Sequence, residues 1–242
     1  MLMLMTPTTP HCFSCALAEV CPHCSQTQSE RGGGAATRPG RRKVSAGEAL
    51  FAQGDAFHYL YTVRSGTFKS SAARADGRDQ ICGFPMVGDV IALDGLAAGV
   101  HATTSVALED THVCAISFAT LETAMARDAA LQRRISRLLS QEIVRGHRLM
   151  MLLGISNAHE RLAAFLLDMS QRFASHGYSP QEFILRMTRA EIGSFLGLSI
   201  ETVSRTLSDF QQRGSVIVDH RRVRIPDLAA FSGRYEALLQ VG

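Results

Sequence analysis

Between residues 44 and about 118 the apolar positions come in short runs. The breaks fall at Ala46-Gly47, Gly54-Asp55, Ser65-Gly66, Asp76-Gly77 and Gly88-Asp89. Runs such as HYLYTVRSGTFKS and TTSVALEDTHVCAIS have the composition of strands. Short strands at regular spacing, with Gly and Asp at the turns, predict a β-sandwich or roll. From about Ser117 to Gly154 the period becomes helical. Leu139, Ile143, Gly146, Met150 and Leu153 repeat at 4-3-4-3, the a/d seam of a coiled coil, beside a stripe of Leu131, Ile135 and Leu138. A stripe of this kind also serves a helix packed on its own domain. Its place between a β-roll and a second domain favours a seam between two copies.

From about Ser156 the chain is helical again and then ends in a short hairpin. Asn157-Ala158-His159-Glu160 opens a helix containing RLAAFLLDMSQRF. Thr188-Arg189-Ala190-Glu191 has the form of a capping box, with its helix running to Leu196. Gly197-Leu198-Ser199 makes a turn, and Ser199 caps a helix from Ile200 to about Arg213. That helix has an apolar stripe of Ile200, Val203, Leu207 and Phe210. Its other side carries Glu201, Ser204, Arg205 and Ser208. Short helix, glycine turn and two-faced helix together predict a helix-turn-helix. Arg205 can donate two bonds to guanine and Glu201 can accept from cytosine; a solvated helix face would carry the same residues. In VIVDHRRVRI, Val223 and Ile225 alternate with Arg222 and Arg224, so the two arginines share one face of a wing able to hold phosphates.

The chain has 242 residues, enough for two modest domains, and a net charge of only +3, so an argument for nucleic acid must rest on local charge and motifs. No P-loop, dinucleotide fingerprint or nucleophile–base arrangement points to an enzyme. The opening MLMLM is too short and lacks the flanks of a signal peptide, and no run is long enough to span a membrane. The expectation is a cytoplasmic protein, in which clustered cysteines bind metal more often than they form disulfides. Cys12, Cys15, Cys21 and Cys24 read C-x2-C-x5-C-x2-C, a soft-metal pattern. Residues 25–43, rich in Gly, Ser, Thr and Arg, read as a connection to the first domain. Cys82 reads as a core thiol, and Cys114 read alone would be another.

The stretch MTRAEIGSFLGLSIETVSRTLSDFQQRG resembles the helix-turn-helix of the CRP/FNR transcription regulators, and its ETVSR resembles the FNR branch, named for the fumarate and nitrate reductase regulator. NAHERLAAFLLDMSQRFASHGYSPQEF, LYTVRSGTFKS and GDVIALDGLAAG are similar to the same branch. The resemblance implies an α+β fold: a cyclic-nucleotide-binding-like β-roll (jelly roll), a long dimerisation helix and a winged helix-turn-helix. The corresponding divisions are a Cys-rich segment and linker at 1–35, a sensor roll at 36–120, a dimerisation helix at 121–155 and a DNA-binding domain at 156–242. It further implies a homodimer on a palindromic TTGAT-type DNA site, read through Glu201, Ser204 and Arg205. RNA polymerase is implied as a partner near Asp94-Gly95, where a plain surface loop would look the same.

Cys12, Cys15 and Cys21 match the spacing of the FNR iron–sulfur segment, and Cys114 matches its distant fourth ligand. The resemblance therefore implies an oxygen-responsive [4Fe–4S] cluster. Cys24 departs from the pattern and leaves open a structural zinc site on Cys12, Cys15, Cys21 and Cys24, with another signal for the regulator. A second departure is Gly146, where the branch often carries an acid that makes dimerisation depend on the cluster. Residues 80–126 contain no Lys or Arg, so the roll lacks a cation for a cyclic phosphate; no cyclic nucleotide is expected.

Overall fold

The computed structural model describes Leu17, residues 41–73, Gly77, 79–155 and 157–235. These fall into two compact units, one of residues 41–79 with 83–138, the other of 139–235 with 80–82.

The first unit is the expected β-roll. Its strands are β1 (Arg41–Val44), β2 (Ala49–Phe51), β3 (Tyr59–Ser65), β4 (Phe68–Ala73), β5 (Asp79–Gly83), β6 (Val90–Ile91), β7 (Thr104–Ala107) and β8 (Thr111–Ser117). They form two four-stranded sheets, in the orders β1-β8-β3-β6 and β2-β7-β4-β5. Leu60, Val63, Val113 and Ile116 from the first sheet and Phe51, Phe68 and Ala107 from the second are buried in its core. Phe51 and Tyr61 stack between the sheets with centroids 6.1 Å apart. The glycines at the five predicted breaks all take positive φ. At Gly66 the need is double: φ is +88°, and a Cβ there would run into Thr111.

Two expectations change here. Residues 41–43 belong to β1 rather than to a connection, because Val44 is fully buried and the strand pairs antiparallel with β8, Arg41 opposite Cys114. Cys82 is exposed, not core. In β5 the buried position is Ile81, and alternation turns its neighbour outward.

The predicted helical stretch is two helices, α1 (Phe118–Met125) and α2 (Ala129–Ile155). Asp128 divides them, its side chain accepting from Ala130 N at 2.8 Å at the start of α2. Leu121, Leu131 and Ile135 are buried.

The second unit contains α3 (Ala158–Ser175), β9 (Glu182–Ile184), α4 (Arg189–Leu196), α5 (Ile200–Gln212), β10 (Ile217–Asp219), β11 (Arg222–Arg224) and α6 (Leu228–Tyr235). The wing is a three-stranded sheet, β10-β11-β9, rather than a hairpin alone. The chain also continues past the wing into α6, which the pattern reading missed. Its signals are present: Asp227 accepts from Ala230 N at 2.9 Å, and Phe231 and Tyr235 are buried on one side. Both rings meet Phe210 of α5.

Candidate nucleic-acid interface

The turn between α4 and α5 is fixed by its backbone. Thr188 accepts from Glu191 N at 3.2 Å, and the Glu191 carboxylate accepts from Thr188 N at 2.7 Å, completing the capping box. Gly197 ends α4 in the left-handed region at φ 62°. Leu198 N donates to Gly193 O at 2.9 Å, and Ser199 accepts from Thr202 N at 3.1 Å to start α5. A Cβ on Gly193 would lie 2.6 Å from Leu198 O, so the two helices meet at a distance only glycine allows.

Val203, Thr206, Leu207 and Phe210 anchor α5 in the core. Ile200, assigned to that stripe from sequence, is 47% exposed, because it stands at the first turn beyond the packed length. The opposite face holds Glu201, Ser204, Arg205 and Ser208. Glu201, at the helix start, is held below the usual carboxylate range by its own backbone N–H and then by the Ser199 hydroxyl. It is therefore an ionised, acceptor-only group. Arg205 is exposed and has no partner among the described residues. Ser204 accepts from Arg189 Nη1 at 3.2 Å. Sequence reasoning missed Arg189, although its place just after the cap of α4 was readable.

In the wing, Arg222 and Arg224 are exposed on one face while Val223 and Ile225 are buried on the other, as the alternation predicted. Arg222 is not idle: its Nη1 lies 3.1 Å from Glu182 Oε1 across the sheet. Behind the interface, Arg161 of α3 donates from Nη1 to Leu196 O at 3.0 Å and from Nη2 to Leu153 O at 2.8 Å. One guanidinium thus meets the last turns of both α4 and α2.

The seam residues divide. Ile143 is 59% and Met150 63% exposed, and Gly146 has nothing within 4 Å of a built Cβ. Leu139 and Leu153 are half-buried within the chain. Leu153 lies beside the turn, its Cδ2 3.7 Å from where a Gly197 Cβ would stand.

Of the cysteines expected as ligands, Cys114 is buried on β8, and Arg64 Nη1 donates to its Sγ at 3.8 Å. Cys12, Cys15, Cys21 and Cys24 lie outside the described residues. Leu17, between Cys15 and Cys21, is fully buried. Among the described residues no three His, Cys, Asp or Glu side chains gather as a metal site. Asp94 stands in a short 3-10 turn (Leu93–Leu96). Its Oδ2 accepts from Ala102 N, Thr103 N and Thr103 Oγ1, each at 2.9 Å. That carboxylate closes its own loop.

Residues 160–233 match the Crp-like helix-turn-helix domain, and residues 41–128 match the cyclic nucleotide-binding domain. The chain is 38% identical over 224 residues to the transcriptional regulatory protein btr of Bordetella pertussis, covering 93% of each. It is 38% identical over 215 residues to the fumarate and nitrate reduction regulatory protein of Escherichia coli K12, covering 89% of this chain and 86% of that one. The structure of FixK2 from Bradyrhizobium japonicum superposes with a TM-score of 0.73 at 30% identity, over 80% of this chain and 96% of that one. No helix among the described residues is long and apolar enough to cross a membrane.

Proposed function

Because this chain belongs to the CRP/FNR family of DNA-binding transcription regulators, we propose that it binds a palindromic TTGAT-type site as a homodimer and senses oxygen through a [4Fe–4S] cluster. The observation that carries the DNA reading is the polar face of α5. Glu201 supplies a fixed acceptor, Arg205 an unengaged donor fork and Ser204 a hydroxyl, all backed by a buried stripe and a glycine-tight turn. Such a set reads base edges in the major groove, while Arg222 and Arg224 of the wing hold phosphates and set position. The exposed Ile143 and Met150 on α2 supply the seam for a second copy, and a two-fold dimer suits a palindrome.

Cys12, Cys15, Cys21 and Cys114 are the residues that would hold the cluster. The donor set fits: four sulfurs suit this centre, and a guanidinium beside Cys114 suits a thiolate. When bound, the cluster supplies an oxygen-labile group whose loss reports air. The chain's own part is to present the sulfurs and shield Cys114 from solvent. RNA polymerase is the further partner of a regulator of this kind. A cyclic nucleotide is not proposed, because residues 80–126 carry no cation and the Asp94 carboxylate adds a negative charge there.

The test is iron and sulfide analysis of anaerobically purified protein, with visible spectra and DNA binding followed before and after air. A straw-brown protein that loses colour and site-specific binding together supports the reading. A colourless protein holding one zinc per chain would replace the cluster with a structural site on Cys12, Cys15, Cys21 and Cys24.

A further inference from the structure

A serine inside a helix ordinarily donates its hydroxyl back to the carbonyl four residues earlier. Thr123, Ser136 and Ser208 do so here, to Ala119 O, Gln132 O and Ser204 O at 2.9, 3.0 and 3.0 Å. Ser204 does not. Its Oγ is met instead by Arg189 Nη1 at 3.2 Å, from the first residue of α4. Neither side chain has another partner among the described residues.

A hydroxyl has one proton and two acceptor sites, whereas a guanidinium only donates. Arg189 therefore fills one of the two acceptor sites of Ser204, leaving its proton and a single acceptor site available on the same helix face as Glu201 and Arg205. Occupied in this way, the hydroxyl offers a donor. In the major groove the acceptors are thymine O4, guanine O6 and N7, and adenine N7; the adenine and cytosine amino groups are donors, which would have to share the acceptor side of the hydroxyl with the Arg189 cation.

Resting on the DNA reading above, we propose that Arg189 is a positioning residue for base choice: it biases the Ser204 hydroxyl toward donating and so tunes which base is accepted at one position of each half-site. Arg189 is not itself a base reader in this scheme. Without it, the Ser204 hydroxyl turns back onto Ile200 O, or accepts from an amino group as readily as it donates, and discrimination at that position relaxes.

The experiment is selection of sites from a random double-stranded DNA pool by the anaerobically purified full chain, followed by titration of oligonucleotides changed one base pair at a time. Parent, Arg189→Ala, Arg189→Lys, Ser204→Ala and Arg189→Ala/Ser204→Ala proteins are compared, after matched thermal melts. Arg189→Ala is expected to lower discrimination roughly two- to tenfold, the worth of one hydrogen bond, at the position that Ser204→Ala also relaxes. The double variant should relax it no further, and Arg189→Lys should restore part of it. Weakening of all sequences by one factor, in both the Ser204 and Ser204→Ala backgrounds, with the salt slope reduced by about one, would make Arg189 a phosphate contact only and overturn the proposal. A parent protein that enriches no sequence would bring down the DNA reading and this inference together.

Discussion

His159 Nε2 lies 3.1 Å from Asp209 Oδ2, tying the first turn of α3 to the C-terminal half of the recognition helix α5. The same imidazole packs edge-on against Phe210 with centroids 5.6 Å apart. The pair is about one-third exposed on each side, so solvent competes for it. Asp209→Ala is expected to cost at most about 1 kcal/mol. His159→Ala should cost more, about 1–2 kcal/mol, because the ring contact goes too. Urea unfolding of both single variants and the double gives the coupling directly. Equal costs for the two single changes would mean that the ring contact contributes nothing.

Gly193→Ala should disable DNA binding without touching DNA. The new methyl meets the carbonyl oxygen of Leu198, a residue whose N–H already donates to Gly193 O, so α4 and α5 must separate. Overpacking of this kind costs about 1–3 kcal/mol. Thermal unfolding and specific-site affinity should fall together; retained affinity at unchanged stability would show that the turn has slack.

Gly146 gives the opposite expectation in a single chain, since nothing stands near a Cβ there. Gly146→Ala should raise the helix propensity of α2 by up to about 1 kcal/mol. Gly146→Asp should instead place two like charges on a symmetric seam and shift the cluster-free protein toward monomer. Urea unfolding measures the first, and sedimentation over a range of concentrations the second. Identical dimer dissociation constants for parent and Gly146→Asp would remove this residue from the seam.

Replacing Cys12, Cys15, Cys21 or Cys114 by Ser should abolish bound iron and oxygen-dependent DNA binding. Cys24→Ser and Cys82→Ser should retain both, Cys82 being an exposed thiol on β5. Iron retained in full by Cys114→Ser but lost in Cys24→Ser would contradict the long-range ligand set.

In the proposed wing contact, the Arg222–Glu182 pair would compete with phosphate. Glu182→Gln should therefore strengthen binding to specific and random DNA alike, whereas Arg222→Ala should weaken both and lower the salt slope by about one. Titrations at several salt concentrations separate these effects from base reading; a change confined to the specific site would reassign Arg222.

The helix-turn-helix was legible because its signals are local. Thr188, Glu191, Gly197 and Ser199 each satisfy a backbone group within a few residues, so spacing alone marks them. The β-roll was legible for the same reason at its turns, where glycines announce themselves. Cys82 was misread because a strand's inner face depends on which neighbour it pairs with, and the sequence offered no register. Asp128 was passed over because a helix break inside one continuous apolar pattern leaves the periodicity nearly unchanged. Arg189 and Glu182 escaped notice because their partners are long side chains brought near by tertiary folding. The heptad marked Ile143 and Met150, which are exposed in the single chain, but it could not tell that Leu153 turns toward Gly197.

Arg161 gives the end of α2 and the end of α4 one shared counter-charge, each carbonyl accepting from a different nitrogen of the same guanidinium. Displacing either helix end strains a charge-assisted bond to the other. The two events proposed for this chain, pairing of the long helices and docking on DNA, are then thermodynamically linked, and linkage is symmetric. Whatever factor pairing adds to operator affinity, the operator adds to pairing; for coupled sites of this kind that factor is typically about 5–150. The operator is in this sense an effector of assembly. A dissociation constant for the dimer measured without DNA overstates how much of the regulator is single at a promoter.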